Sequence, residues 1–120
     1  MKLSIFFASA ALLLAAGCVK SPNEAKKENR PPQITRVEVA NSAIRVGQST
    51  TITCRAIDPD NDELTYKWET ANGMGYILGS GATVTYATSA CCAGANQIKV
   101  TVADPKGASD SKPANVDVRP

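Results

Sequence analysis

The feature that most constrains this chain is a period of two in its apolar residues, which begins near Gln33 and continues to the C-terminus. In the run STTITCRAI, Ile52, Cys54 and Ala56 alternate with polar or charged side chains, and NQIKVTVAD repeats the pattern. Successive side chains of a β-strand point to opposite faces, so this alternation predicts strands with one buried and one exposed face.

Several runs of this kind follow one another, and turn-forming residues separate them. The runs are ITRVEVA, STTITCRAI, ELTYKWE, ATVTYAT, NQIKVTVAD and ANVDVRP, and the turns fall at residues 41–42, 58–62, 73–81 and 104–107. No stretch of residues 33–120 has the 3.6-residue period of a helix. Short strands at this spacing predict an all-β sandwich of about seven strands.

Residues 1–17 have the pattern of an export signal. Met1 and Lys2 give a positive start, residues 3–16 are apolar but too few to span a bilayer comfortably, and small residues precede Cys18. This resembles the lipobox of bacterial lipoproteins, although Ala15 stands where that family prefers leucine. The resemblance implies cleavage before Cys18, acylation of that cysteine and attachment to a membrane without a span. Val19, where aspartate would signal inner-membrane retention, implies the outer membrane.

Residues 18–32 predict a flexible tether between the lipid anchor and the folded domain. The segment VKSPNEAKKENRPP is rich in charge and proline and has no apolar period, which is typical of disordered chain. The predicted organisation is therefore a signal peptide at 1–17, a lipidated cysteine with a tether at 18–32, and the sandwich at 33–120.

Composition excludes several classes of function. The chain has no histidine, which is the commonest general base and transition-metal ligand. Its formal net charge is +2 without a basic stripe, so nucleic acid is not expected as a partner. No catalytic constellation is visible in the remaining residues, and we expect the protein not to be an enzyme.

Motifs across residues 31–120 carry a family resemblance. A proline pair precedes the first strand, VGQSTTITC leads into AIDPDNDELTYKW, and IKVTVADPKGASD precedes a closing VDV. Their order resembles the immunoglobulin-like domain of the polycystic-kidney-disease (PKD) type. The resemblance implies a seven-stranded immunoglobulin-like sandwich with Trp68 in its core, used as a spacer or recognition module. ATSACCAGANQ departs from the family, which has a short connection there.

Four aspartates are candidate calcium ligands. Asp58, Asp60 and Asp62 fall in one predicted turn, and Asp104 begins another that should lie at the same end of the sandwich. Calcium takes six to eight oxygen ligands, and carboxylates are common among them, so a structural calcium site is one interpretation. The favoured interpretation is a polar turn, because aspartates accept hydrogen bonds from nearby backbone amides and Pro59 presets the turn.

With Cys18 acylated, three cysteines remain, so at most one disulfide can close within a monomer. Cys54 and Trp68 resemble the first cysteine and core tryptophan of immunoglobulin domains, which favours a bond from Cys54 to Cys91 or Cys92. The alternative is a Cys91–Cys92 disulfide that leaves Cys54 as a buried thiol. Reduced cysteines, intermolecular pairing and soft-metal binding are the other interpretations.

Two functions are compatible with this sequence. The first is a non-catalytic lipoprotein of the bacterial envelope, attached to the membrane by its lipid, which recognises a protein or glycan partner or acts as a spacer. Tyr76 is the best candidate for an exposed aromatic ring of a sugar-binding face, although packing within a short edge strand is favoured. The alternative is an envelope thiol-redox or soft-metal-binding protein that uses Cys91 and Cys92.

Overall fold

The computed structural model describes residues 28–120, so the predicted signal peptide, the lipidation site Cys18 and most of the predicted tether lie outside the described residues. Eight strands and one turn of 3-10 helix (Ala90–Cys92) make up the described part. The strands are β1 (Gln33–Val39), β2 (Ala43–Arg45), β3 (Ser49–Ile57), β4 (Thr65–Thr70), β5 (Tyr76–Leu78), β6 (Thr83–Ala87), β7 (Gly94–Ala103) and β8 (Ser109–Arg119).

The strands form two four-stranded sheets whose inner faces enclose the core. The first sheet has the order β1-β3-β6-β5, and the second has the order β2-β8-β7-β4. All neighbouring strands are antiparallel except β2, which runs parallel to the end of β8. The prediction of an all-β immunoglobulin-like sandwich is therefore confirmed. The short strands β2 and β5 were not among the alternating runs, because three residues are too few to show a period.

The faces predicted from the alternation are confirmed by burial. On β3, Ile52 is fully buried and Cys54 is 2% exposed. On β7, Ile98, Val100 and Val102 are all at most 1% exposed. These side chains belong to two adjoining core clusters that fill the space between the sheets.

Trp68 packs against both core clusters and joins them, as the resemblance implied. Its ring is partly buried, and its indole Nε1 donates a hydrogen bond to the carbonyl oxygen of Gly81 at 2.8 Å. Because β4 is in the second sheet and Gly81 lies in the loop between β5 and β6 of the first, this bond ties the two sides of the sandwich together while satisfying the only polar atom of the ring.

β8 begins at Ser109, five residues before the alternating run ANVDVRP, and it contains Pro113. Proline lacks the backbone N–H that a strand with neighbours on both sides would need. β2 covers only residues 117–119 of β8, so Pro113 has a strand neighbour on one side alone. This open edge accommodates the proline within the strand.

The two ends of the sandwich are formed by different loops. The base, as we call it, contains the loops 58–62 and 104–108, and the tip contains residues 71–75 and 88–94. β7 runs the full distance, from Gly94 at the tip to Ala103 at the base, which is about 33 Å for its ten residues. No helix within residues 28–120 is long and apolar enough to cross a membrane.

Candidate metal centre

The aspartate-rich loop at the base is folded by its own side chains. Oδ1 of Asp58 accepts a hydrogen bond from the backbone N–H of Asp60 at 2.8 Å, and the Asp58 carbonyl accepts one from the N–H of Asn61 at 2.9 Å. Asn61 adopts a φ of 61°, a left-handed conformation that asparagine tolerates better than most residues. The loop is therefore a tight polar turn whose geometry the sequence specifies locally.

This turn brings three carboxylates together. One oxygen each from Asp58, Asp60 and Asp62 lies within 4.8 Å of the other two, and all three residues are partly buried. The resulting group of oxygens has the character of a hard-cation site.

Asp104, the fourth predicted ligand, does not belong to this group. Its Oδ1 accepts hydrogen bonds from the N–H groups of Lys106 at 2.9 Å and Ala108 at 3.0 Å. Its Oδ2 accepts a hydrogen bond from the side chain of Asn29 at 2.8 Å. The carboxylate is thus used to close the β7–β8 turn. The Asn29 hydrogen bond, followed by the backbone hydrogen bonds, lowers the pKa of Asp104 despite an opposing effect of burial.

The segment before β1 contributes residues that the sequence did not suggest. Arg30 donates from its backbone N–H to Oδ2 of Asp60 at 2.7 Å and from its guanidinium to Oδ1 at 2.8 Å. Pro32 is buried, so residues 29–32 lie against the base rather than in the predicted flexible tether. Contacts made across the fold, not local composition, hold this polar segment in place.

Whether these residues fit a cation can be judged from the hydrogen-bond partners of their buried oxygens. Three side-chain oxygens at the base are fully buried without a hydrogen-bond donor, namely Asn29 Oδ1, Asp58 Oδ2 and Asp62 Oδ2. A buried acceptor without a donor costs about 1–3 kcal/mol, and more when it is charged. A calcium ion would satisfy carboxylate and carboxamide oxygens together, so the donor set fits this metal.

Basic side chains at the base already offset part of the negative charge of these carboxylates. The guanidinium of Arg30 already forms an ion pair with Asp60. Lys106 lines the same depression of about 210 Å³ as Asn29, Asp60 and Asp62. Asp58 and Asp62 therefore carry the part of the acidic charge that an ion would neutralise, and Asn29 adds a neutral oxygen.

The cysteines are arranged as in the alternative interpretation. A disulfide joins Cys91 to Cys92 in the 3-10 turn at the tip, and Cys54 is a buried free thiol. The favoured pairing of Cys54 is absent from the structure for a geometric reason. β6 reaches the tip where Ala87 pairs with Ser49, whereas Cys54 lies five residues along β3, roughly 17 Å toward the base. Disulfide formation requires Cα atoms within about 7 Å.

Cys54 is poorly suited to thiol chemistry in this position. Burial raises the pKa of its thiol, and the charge of Asp110 raises it further. The thiolate is the reactive form, so a thiol with a raised pKa is a weak nucleophile at neutral pH. Cys54 is accordingly part of the core, in contact with the cluster of Ile34, Val100 and Val102.

Tyr76 does lie in a short edge strand, but its ring is not packed. The side chain is 55% exposed on β5, and its neighbour Leu78 is exposed to the same extent. Both project from the outer face of the first sheet at its edge, while Ile77 packs toward the core. The expectation that Tyr76 packs within the strand is therefore wrong.

Comparison with known proteins agrees with this architecture. A family described as "Bacterial Ig domain" matches residues 29–118, which is most of the described chain. The match begins at Asn29, in agreement with the early boundary at the base. No curated protein is significantly similar to the chain in sequence.

Solved structures with the same fold include two PKD domains and part of a larger protein. The PKD domain of an M14-like peptidase from a Thermoplasmatales archaeon is 19% identical (TM-score 0.63), over 78% of this chain and 100% of that one. The PKD1 domain of Vibrio anguillarum Epp is 27% identical (TM-score 0.56), over 77% and 98%.

The larger protein is a nucleoside hydrolase-related hypothetical protein from Saccharophagus degradans, associated with carbohydrate metabolism. It is 19% identical, with a TM-score of 0.65, over 76% of this chain. The chain spans only 26% of that protein's length. This likeness, below a quarter identical, shows the fold alone.

Proposed function

Since the chain belongs to the bacterial Ig domain family, we propose that it is a recognition or adhesion module held at the bacterial outer membrane by lipid on Cys18. Domains of this kind are typically non-catalytic and typically extracellular or surface-exposed. A lipid anchor would hold the sandwich at the membrane surface, where its exposed loops and faces are available to a protein or glycan partner.

The observation that carries the proposal is the position of the N-terminal segment. Asn29 and Arg30 bind the base through Asp104 and Asp60, so the chain toward Cys18 leaves the sandwich at the base. The tip is the end of the sandwich opposite to this segment, about the length of β7 away. A module anchored in this way presents its tip to whatever lies beyond the membrane surface.

Attachment of living cells is the test of this function. Cells that produce the full chain should bind polysaccharide- or protein-coated surfaces more strongly than cells that produce a chain ending at residue 32. Immunoblotting of the membrane fraction, with a tag on both chains, controls for equal amounts of anchored protein. Equal attachment of the two strains, at equal protein levels, would contradict an adhesive or recognition role.

We further propose that the base holds a structural calcium ion through Asn29, Asp58 and Asp62, with Asp60 completing the carboxylate group beside Arg30. The bound ion would supply positive charge among the carboxylates and would be coordinated by the oxygens that otherwise lack a hydrogen-bond donor. Asn29 would thereby be fastened to the aspartate turn, and the angle at which the segment before β1 meets the sandwich would become fixed. Calcium is plentiful outside cells, where such sites bind in the range of about 10⁻⁴–10⁻³ M.

Thermal melting of the full chain in detergent, with calcium or with chelator, tests this site. Saturation at about 100 times the dissociation constant stabilises a protein by about 2.7 kcal/mol, which raises Tm by roughly 10 °C or more for a domain of this size. Asp62→Asn should abolish the increase, whereas the exposed carboxylate variant Glu69→Gln should retain it. A calcium-independent Tm in the unmodified protein would refute the site.

A second candidate function rests on the Cys91–Cys92 disulfide. Cys91 is exposed at the tip, where a thiol reductant could reach the bond, and an envelope redox role would use this pair. Alkylation followed by mass spectrometry separates the candidates. A recognition module should show one unlipidated thiol, Cys54, and only after denaturation. Two thiols reactive in the native protein as isolated would favour the redox or soft-metal function.

A further inference from the structure

The tip carries a depression of about 490 Å³ on the outer side of the second sheet, within the usual size range of about 300–1,000 Å³ for ligand sites. It lies where residues 71–72 meet the first residues of β7 and the end of β8. We propose that this tip depression binds a neutral saccharide. The inference rests on the recognition function proposed above and names the chemistry of the ligand.

Carboxamide side chains are the commonest polar groups in the lining. Asn72, Asn96, Gln97 and Asn115 all border the tip depression. The three exposed carboxamides, those of Asn72, Gln97 and Asn115, each present two N–H donors and a carbonyl acceptor side by side. Neighbouring hydroxyl groups of a sugar likewise combine donors and acceptors at short spacing, so a set of carboxamides is complementary to a polyhydroxylated ring.

The charge of the lining excludes other ligand classes. No lysine or arginine is among the described residues that border the tip depression, so nothing there would neutralise a phosphate or carboxylate. Its one charged residue, Asp117, forms an ion pair with Arg119 at 3.2 Å. The apolar part of the lining consists of Ala71, Ala95 and Val116, which are too small to anchor an apolar peptide side chain.

Hydrogen bonds among the carboxamides hold them in place before any ligand arrives. Asn96 is 1% exposed, and its Oδ1 accepts a bond from Nδ2 of Asn72 at 3.4 Å. Nε2 of Gln97 donates to Oδ1 of Asn115 at 3.2 Å. Each of these bonds uses only part of a carboxamide's hydrogen-bonding capacity, and preorganised groups lose less entropy on binding.

The disulfide accounts for the position of Asn96. Nδ2 of Asn96 donates to the carbonyl oxygen of Cys92 at 2.9 Å, and that carbonyl belongs to the 3-10 turn that contains the Cys91–Cys92 bond. The disulfide therefore orients Cys92, Cys92 orients Asn96, and Asn96 orients Asn72. Asn96 and the cysteines act as positioning residues, which gives the unusual segment ATSACCAGANQ a role in the site.

The experiment is a titration of the ¹⁵N-labelled full chain in detergent with chitotriose, cellotriose and maltotriose, each up to about 10 mM, since weak sites fall in the millimolar range. Side-chain amide signals of Asn72, Gln97 and Asn115 should shift saturably with at least one of the three. Asn72→Ala and Gln97→Ala should each weaken that binding by about fivefold or more, as expected for one lost hydrogen bond. Gln33→Ala removes an exposed carboxamide at the opposite end and should change nothing.

The role of the disulfide has its own measurement. The double variant Cys91→Ser/Cys92→Ser should weaken binding and shift the Asn96 side-chain signals, while the Trp68 indole signal stays unchanged because the core is intact. If the double variant binds as tightly as the unmodified protein, the positioning role is overturned. Asn72 is exposed, so the Asn72→Ala result does not depend on how the cysteine variant folds.

The same titration distinguishes failure of this inference from failure of the proposed function. Saturable shifts confined to Tyr76 and Leu78 would overturn the tip depression as the site while leaving saccharide recognition intact. No shift with any of the three sugars would overturn the saccharide inference. The cell-attachment assay would then still decide, independently, whether the module recognises a surface.

Discussion

Asp104 has a structural role that differs from that of the three aspartates in the turn at 58–62. Its carboxylate accepts two backbone hydrogen bonds within its own turn and one from Asn29. An aspartate that caps a turn in this way holds the local backbone and, through Asn29, the segment before β1. The residue therefore links two parts of the base without being a member of the carboxylate group.

This role predicts a pH dependence of stability. The pKa of Asp104 is lowered in the folded state, whereas an aspartate in an unfolded chain titrates near about 3.9. The ionised carboxylate therefore stabilises the fold above about pH 4, and that contribution is lost as pH falls through the lower folded value. In thermal melts between pH 7 and pH 2.5, Asp104→Asn should lower Tm at neutral pH and flatten its decline in acid. Glu69→Gln, with an exposed side chain, is the control, and an equal acid decline in both variants would contradict this assignment.

Gly75 is a second residue whose identity is fixed by its surroundings. It adopts a φ of 84°, and a Cβ built there would overlap the ring of Tyr86. The Tyr86 hydroxyl donates to the carbonyl of Met74 at 2.8 Å, so the ring cannot move away without losing that bond.

Gly75→Ala should therefore be much more destabilising than Gly79→Ala. Gly79 has a φ of 98° but open space around it, so alanine there costs only backbone strain of about 1–2 kcal/mol. At Gly75 the steric overlap adds about 1–3 kcal/mol. Chemical denaturation of the two variants measures the difference, and equal losses would show that Tyr86 gives way easily.

At the scale of elements, the alternation of buried and exposed side chains along β3 determines how much each of its residues stabilises the fold. Ile52 is fully buried between the sheets, whereas Ile57, at the end of the same strand, is 54% exposed. Both are isoleucines with the same strand propensity, so local preference cannot distinguish them. Their odd spacing of five residues does, because it directs Ile52 toward the other sheet and Ile57 to the outer face.

Substitution of each isoleucine by alanine tests this difference directly. Ile52→Ala should reduce the free energy of unfolding by about 3 kcal/mol, from lost apolar burial and the cavity left behind. Ile57→Ala should change it by less than about 0.5 kcal/mol, as for other surface substitutions. Denaturant unfolding monitored by Trp68 fluorescence provides both values, and similar losses would mean that β3 is not buried as described.

At the scale of the whole molecule, the proposed anchor decides where the sandwich is displayed. Acyl chains contribute about 0.8 kcal/mol per buried methylene, and two or more chains make attachment lasting. Cys18→Ser should therefore move the protein from the membrane fraction to the soluble fraction and abolish labelling by radioactive palmitate. Cys54→Ala, which leaves the lipobox intact, should remain in the membrane fraction. Retention of the Cys18→Ser protein in membranes would contradict lipid anchoring.

The sequence by itself determined the features that arise from neighbouring residues. The period of two predicted six strands and their buried faces, because side-chain direction in a strand alternates whatever the strand packs against. The aspartate turn was likewise visible, since Asp58 and Asn61 fold it through local hydrogen bonds. The tight turns and the all-β class follow from the same local physics.

Tertiary structure alone decided which distant residues meet. It placed Asn29 beside the aspartate turn and directed the Asp104 carboxylate toward the backbone of its own turn. It also separated Cys54 from the cysteine pair by the length of several residues along β3. It also gathered Asn72, Gln97 and Asn115 at the tip from three separate parts of the chain. These juxtapositions depend on strand order and register across both sheets, and no local pattern in the sequence encodes them.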